Sequence, residues 1–288
     1  MEQILEKIKP LLAQTLSQGK FITFLTGAGV SAESGVPTYR GSDGIWVEGS
    51  RNYKPQEFGT LRFFKDNPAE VWKFVLYRKT TFRDTQPNTG HMALANIEHL
   101  IQDRFRLITQ NVDRLHHKAG NTTERTYEIH GNLETVRCSE ECSGEIYPFP
   151  IDVGQAPYDA TMIEKHWEAL KCPHCGSITR HNVLMFDEYY DERLYKMESA
   201  IDIALNTGIL FIVGTSGATN LPNHIMSTAQ FKGSSVVDVN IEDNDFTAEV
   251  ADASNGFVLR GKSGEILPKV EQLLREVLES ESLSSNKK

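Results

Sequence analysis

Four cysteines stand in two close pairs, Cys138-x3-Cys142 and Cys172-Pro-His-Cys175, separated by 29 residues. Each pair can place two thiolates on one side of a metal at about 2.3 Å, and four thiolates fill the tetrahedral shell of Zn2+. Such a shell has no open position, so the spacing predicts a structural rather than a catalytic zinc. Free buried cysteines and a C-x-x-C redox pair are the competing readings, and the second pair counts against both. His174, between the last two cysteines, reads as a surface residue of the knuckle. His166 and His181 are the alternative ligands if one cysteine is unused.

A second group is Gly27-Ala28-Gly29-Val30-Ser31-Ala32, which fits G-x-G-x-x-A directly after an apolar run. Such glycines let the backbone approach a pyrophosphate while the next helix N-terminus offers N–H groups; a plain turn is the alternative. An ordinary dehydrogenase would show an acidic residue about 20 positions on, after a second strand. The chain instead continues Glu33-Ser34-Gly35-Val36-Pro37-Thr38-Tyr39-Arg40-Gly41, a loop rich in turn formers. The pattern therefore indicates a dinucleotide without indicating a standard dehydrogenase. A third group, Thr109-Gln110-Asn111-Val112-Asp113, ends another apolar run, where a parallel sheet binds ligands. Asp113 also reads as an N-cap for the next helix. The fourth is Glu128-Ile129-His130-Gly131. A histidine ending a strand beside glycine offers a free imidazole edge suited to a general base. Alone, such a histidine is more often structural.

These groups need elements to position them. Ile4, Leu5, Ile8, Leu11, Leu12 and Leu16 recur at helical spacing, and Pro10 is expected to kink or restart that helix. Strands are expected at Phe21–Leu25, Phe105–Thr109, Thr126–Ile129, Val183–Phe186, Ile209–Gly214, Ser235–Asn240 and Gly256–Arg260. Helical patterns fall around Pro68–Phe82, Gly90–Ile101, Asp191–Leu205, Pro222–Phe231 and Glu265–Leu278. This alternation predicts an α/β fold, a Rossmann-like parallel sheet with helices on both faces. Residues 133–185 break the rhythm and carry all four cysteines, so they read as a small zinc-binding insertion. The larger domain is then discontinuous, 1–132 and 186–278, with 279–288 as a flexible polar tail.

Thirty Lys+Arg against 39 Asp+Glu give a formal net charge of −9, a poor match to sequence-independent binding of nucleic acid, which rests on neutralising phosphates. No apolar run approaches the roughly 20 residues that span a bilayer, and the start Met1-Glu2-Gln3 does not read as a signal peptide. The expectation is a soluble, cytoplasmic protein without direct nucleic-acid or membrane partners.

Taken together, Gly27 through Gly35, Thr109 through Asp113, Ile129-His130-Gly131 and the four cysteines resemble, in order, the sirtuin family of NAD-dependent protein deacylases. Pro87-Asn88-x-Gly90-His91-x-Ala93-Leu94, Gly214-Thr215-Ser216, Val239-Asn240 and Gly261-x-Ser263 extend the likeness over about residues 20–270. The resemblance implies an enzyme that consumes NAD, transferring an acyl group from lysine to ADP-ribose with release of nicotinamide and 2′-O-acyl-ADP-ribose. It implies His130 as the base acting through the ribose hydroxyls, and Asn111 with Gln110 on the ribose. Asp113 would meet the nicotinamide carboxamide, and Ala28, Ser31 and Arg40 the pyrophosphate. Tyr39 would cover the nicotinamide ribose. Gly214, Thr215, Ser216, Asn240, Ile241, Glu242 and Ser263 would hold the adenosine end. Gly27, Gly29, Ala32, Glu33, Thr38, Trp46 and Val112 complete the implied cofactor set. The partner would be an acyl-lysine protein or peptide, added as a strand against Phe186-Asp187-Glu188 and the loop after Gly217.

Departures from the family pattern concentrate near that cleft. The common Asp-Phe-Arg reads Thr38-Tyr39-Arg40, with Thr as in the desuccinylase-like branch. That branch pairs Tyr-x-x-Arg to clamp an acidic acyl chain; here Arg78 holds the Arg position, but Val75 stands where Tyr should be. Arg78 reads equally as an acyl-carboxylate ligand or as a solvated helix residue. Asp187 replaces a favoured Gly, and Thr219-Asn220-Leu221-Pro222 is unusual after Gly-Thr-Ser. A mono-ADP-ribosyltransferase or NAD glycohydrolase on the same fold is the alternative activity.

Overall fold

The computed structural model describes residues 1–38, 55–152 and 161–285. The chain first lays down three parallel strands, β1 (Phe21–Thr26), β2 (Phe105–Thr109) and β3 (Thr126–Glu128). It then leaves to build an antiparallel sheet from β4 (Gly131–Cys138), β5 (Ile146–Pro148) and β6 (Thr179–Val183), in the order β5-β4-β6. It returns for β7 (Thr207–Val213), β8 (Ser235–Asn240) and β9 (Gly256–Arg260). The large sheet runs β3-β2-β1-β7-β8-β9, all parallel. This order reverses direction between β1 and β7, and a doubly wound sheet opens its ligand crevice at such a switch point.

The central strands are apolar on both faces because helices cover both. Helices Glu2–Ser17, Thr89–Ile101 and Ser263–Ser285 bury Leu12, Leu94 and Leu274 against one side of the sheet. Helices Met197–Leu205, Asn220–Phe231 and Thr247–Asp252 bury Ala200, Ile225 and Val250 against the other. A third cluster lies apart. Trp72, Val75 and Leu76 of helix Pro68–Asp84 pack with Leu133 and Val136 of β4 and with Leu170 and Met185. Helix Pro68–Asp84 thus shares its core with the cysteine-bearing segment, and residues 133–185 do not pack as an isolated insertion.

Several sequence expectations are corrected. Helix Glu2–Ser17 continues through Pro10; Pro10 is exposed, so water can satisfy the carbonyl left without an amide partner. The expected strand Val183–Phe186 ends at Val183, because Glu188 folds back and accepts a hydrogen bond from the Met185 N–H at 2.9 Å. The expected helix Asp191–Leu205 is two helices, Glu192–Tyr195 and Met197–Leu205, parted by Lys196 at φ +53°. Helix Ser263–Ser285 continues past Glu279 to the last described residue, with no Gly or Pro after Pro268 to stop it.

In the small lobe, Cys138 ends β4, and Cys172 and Cys175 lie in the turn before β6. The four sulfurs lie within 4.8 Å of one another, with Cys138–Cys175 at 3.6 Å and Cys142–Cys172 at 3.5 Å. Ligands at about 2.3 Å around a tetrahedral zinc sit about 3.8 Å apart, so the set fits the ion. The cluster holds no histidine. His174 bonds Glu145 at the surface, His166 bonds the Ile163 N–H, and His181 lies edge-on to Trp72.

Because the zinc closes a lobe with a small core, stripping it with a strong chelator, or Cys172→Ser, should cost on the order of 4 kcal/mol in denaturant unfolding. New protease cleavage should appear within residues 133–185, and the intact protein should carry one zinc per chain by metal analysis. An unchanged midpoint after metal removal would contradict a structural role.

Candidate active site

The glycine-rich turn after β1 meets the turn after β7. Gly27 N–H donates to Val213 C=O at 3.0 Å and Gly29 N–H to Gly214 C=O at 2.7 Å. A Cβ on Gly29 would lie 2.7 Å from Gly214 Cα, and one on Gly214, at φ +58°, would lie 2.6 Å from the Val30 nitrogen. Only glycine allows this approach. It closes the base of the crevice and starts the short helix Gly29–Ala32, which carries Ser31 inward.

Ser31 is fully buried, and its hydroxyl joins three side chains. It donates to Asp113 Oδ2 at 2.7 Å and accepts from Asn111 Nδ2 at 3.1 Å. His91 stands on the other side. Its Nδ1 accepts from the Asn88 N–H, so Nε2–H points to Ser31 Oγ at 3.4 Å. Asn111 is thereby oriented, and its backbone N–H donates to Thr109 Oγ1 at 3.1 Å. Thr109 Oγ1 also accepts from Thr26, which in turn meets His116 Nε2. Asp113 is not the N-cap of the next helix, a place Arg114 takes at φ +63°, but its Oδ1 accepts from the first helical N–H, that of Leu115, at 2.9 Å. Burial pushes the Asp113 carboxyl up from its ordinary value, against the hydrogen bonds from Leu115 and Ser31.

Beside these groups is a pocket lined by Ala28, Val36, Pro37, Arg78, Phe82, Asn111, Val112 and Asp113. Its walls are mainly apolar, with Asn111 and Asp113 at the polar end. Arg78 is 2 % exposed and lies over the Phe82 ring at 4.4 Å; the solvated reading of this residue is overturned. Lys118 holds its helix by donating to the carbonyls of Phe82, Arg83 and Thr85 at the C-terminal end.

His130 faces the same crevice from the end of β3. Its Nδ1 lies 3.1 Å from Gln110 C=O, and a carbonyl only accepts, so Nδ1 carries the proton. Nε2 is then the basic nitrogen, and the Tyr190 hydroxyl donates to it at 2.8 Å. Burial pushes the His130 pKa down to about 4, opposed by the Gln110 bond. The ring is therefore neutral near pH 7 and competent to take a proton. Gln110 spans the crevice, donating to Thr215 Oγ1 at 2.8 Å and accepting from Thr219 Oγ1 at 3.0 Å.

The remaining expected residues separate into groups. Thr215 and Asn240 meet at the ends of β7 and β8, with Asn240 Nδ2 donating to Thr215 C=O; Ile241 beside them is exposed. Ser216 C=O accepts from the Asp245 N–H. Glu33 accepts from Ser263 Oγ and the Gly264 N–H, which caps helix Ser263–Ser285. Glu188 is held by Arg137 at 2.7 Å and Arg180 at 2.6 Å, so its carboxylate is committed within the protein. Asp187 accepts from the N–H groups of Leu61 and Arg62, while Phe186 is 51 % exposed. Ala32 and Glu242 lie outside this network, and Tyr39, Arg40 and Trp46 lie outside the described residues. His91, His116, Tyr190 and Thr219 belong to the network but were not singled out by residue type. His91 has a local signal, since Asn88-x-x-His91 opens helix Thr89–Ile101 as a capping box, and Thr219 stands in the unusual run after Gly-Thr-Ser.

Burial keeps His91 and His181 neutral down to about pH 4 and 3, and pushes His116 well below its ordinary value. In the unfolded chain they titrate near 6.5. Between about pH 6.5 and 4 the unfolded chain therefore binds more protons, and stability falls as the pH falls. The stabilising effect is complete above pH 6.5 and shrinks by up to about 1.4 kcal/mol per pH unit for each histidine. Asp113, raised by burial, works the other way. Urea midpoints at pH 7, 6 and 5 should fall in that order; equal midpoints would contradict the neutral histidines.

Comparison with known proteins shows the family. Residues 27–220 match the Sir2 family. An NAD-dependent protein deacylase of Leptospira interrogans is 35% identical over 261 residues, covering 91% of this chain and 94% of that protein. One from Pyrococcus furiosus is 35% identical over 266 residues, covering 92% and 98%. A solved Sir2 homologue in complex with NAD is similar at a TM-score of 0.75 and 30% identity, covering 96% of this chain and 94% of that one. With the parallel sheet, the cysteine tetrad and the Asn111–His130 crevice in place, the chain belongs to the Sir2 family, the sirtuins.

Proposed function

We propose that this chain is an NAD-dependent protein-lysine deacylase. The observation that carries the reading is His130: Nδ1–H is tied to Gln110 C=O and the basic Nε2 faces a crevice that Asn111 and Asp113 share. NAD supplies an electrophilic ribose carbon whose leaving group, nicotinamide, departs with its bonding electrons. The pocket beside Asp113 accepts that ring, and Asn111, oriented through Ser31, presents its carboxamide to the ribose. Gln110, Thr215 and Asn240 line the path to the adenosine end, and His130 Nε2 takes a proton from the ribose hydroxyls, so that a ribose oxygen can accept the acyl group. A water-poor wall of Val36, Phe82 and Val112 protects the reacting carbon.

The acyl-lysine peptide enters between the lobes, over the exposed Phe186. Glu188, bound to Arg137 and Arg180, positions that segment instead of reading the substrate. Arg78 supports an acidic acyl chain by its place in the pocket wall. No helix among the described residues is long and apolar enough to cross a membrane, and a four-thiolate zinc site fits the reducing cytoplasm.

Incubation with NAD and acetyl-, succinyl- or long-acyl-lysine peptides should yield nicotinamide and O-acyl-ADP-ribose; no product from any of them overturns the reading. His130→Ala should lower kcat by about 100-fold or more with an unchanged melting temperature. Arg78→Met should lower succinyl activity at least about tenfold more than acetyl activity, the scale of a lost charged hydrogen bond. Equal losses would remove Arg78 from acyl recognition.

A further inference from the structure

The hydroxyl on His130 Nε2 belongs to the segment that carries the peptide cleft. Tyr190 follows Phe186 and Tyr189, which are 51 % and 91 % exposed. Its backbone is held on both sides. Glu188 is fixed by Arg137, Arg180 and the Met185 N–H, and Asp191 caps the next helix by accepting from the Leu194 N–H at 2.6 Å. The side chain reaches across the crevice to His130 at 2.8 Å, its ring 5.8 Å from the imidazole and edge-on to Tyr195. Thr219, in the loop after β7, donates to Gln110 Oε1, and the Gln110 carbonyl holds His130 Nδ1. Residues from the two walls of the cleft thus converge on the base.

The nitrogen that must accept the ribose proton is already hydrogen-bonded. Nδ1 is committed to Gln110 C=O, so the ring cannot offer its other nitrogen without losing that bond. The Tyr190 phenol stays protonated, since burial pushes its pKa up to about 12. It therefore remains a donor throughout the neutral range. For Nε2 to receive a ribose proton, the Tyr190 hydroxyl must leave it. With the flanking backbone anchored, the available movement is rotation of the side chain away from Nε2.

We propose that Tyr190 is a positioning residue that reserves His130 for turnovers in which acyl-lysine peptide is bound. The proposal rests on the reading of His130 as the base. Without peptide, Tyr190 keeps Nε2 from activating water. The wasteful reaction it suppresses is hydrolysis of NAD. In that step a water oxygen bonds to the ribose C1′ and the C1′–nicotinamide bond breaks. Nicotinamide keeps the electron pair and the water proton passes to Nε2, giving ADP-ribose and nicotinamide. When peptide enters, the hydroxyl is exchanged for the ribose hydroxyl.

The test compares wild type, Tyr190→Phe, His130→Ala and the double variant, measuring nicotinamide released with and without acyl-lysine peptide. Tyr190→Phe keeps the ring and removes only the donor. It should raise peptide-independent release, relative to kcat/KM for deacylation, by about fivefold, the scale of one hydrogen bond. The double variant should lose that increase. If both rates move by one common factor, or if the extra release survives His130→Ala, the proposal is overturned. His130→Ala deacylating at the wild-type rate would overturn the base assignment and the proposal with it. A wild-type measurement stands beside these: with 15N-labelled histidine, acyl peptide plus an unreactive NAD analogue should shift the His130 Nε2 resonance away from its tyrosine-bonded position. An unmoved resonance contradicts the exchange even if Tyr190→Phe fails to fold.

Discussion

The site depends on how closely two backbone turns can approach. Gly29 and Gly214 touch at distances that no Cβ tolerates, and this contact joins the ends of β1 and β7 where the strand order reverses. It determines where helix Gly29–Ala32 begins, and so where Ser31 enters the interior. From Ser31 follow the orientation of Asn111, one oxygen of Asp113 and the tilt of His91. The glycines do more here than leave room for a phosphate. They bring two strand ends together so that polar groups from β1, β2 and helix Thr89–Ile101 meet in one buried network.

Burial makes that network consequential. Each polar group in it would carry a desolvation cost if its partner were lost. The hydroxyl of Ser31 has one donor and two acceptor positions, and all are used. Such saturation restricts Asn111 to one orientation, which is what a reaction limited by positioning requires. The same low polarity keeps His130 neutral, and the Gln110 carbonyl decides which of its nitrogens is basic.

The second lobe is tied to the first by the apolar cluster it shares with helix Pro68–Asp84 and by charge. Zinc closes the turns that carry the cysteines, while Arg137 of β4 and Arg180 of β6 share Glu188. Both arginines are nearly inaccessible, so removing Glu188 would leave Arg180 buried without its carboxylate and Arg137 with Glu141 alone. Asp187 adds a link to helix Leu61–Asp66. Between Glu188 and Asp191, the backbone that presents Tyr190 is therefore held at both ends. Side-chain rotation remains free to respond to a substrate.

Much of this was legible in the sequence. Alternating apolar runs predict the six parallel strands because buried strands carry a local signature. The cysteine spacing predicts the metal cluster because each ligand pair is a local turn. Gly27, Asn111, Asp113 and His130 stand at strand ends, where a parallel sheet gathers its ligands, so type and place together mark them. What the tertiary structure alone decided are meetings between distant segments. Arg78 became buried because helix Pro68–Asp84 packs against β4, which no helical period reveals. Glu188 proved to be an anchor because its arginine partners lie 51 and 8 residues away. Tyr190 reached His130 across 60 residues, and no spacing rule connects an exposed-looking tyrosine pair to a base at the end of another strand. Local chemistry is written in the order of residues; which lone pair is occupied, and by whom, is settled only when the chain has folded.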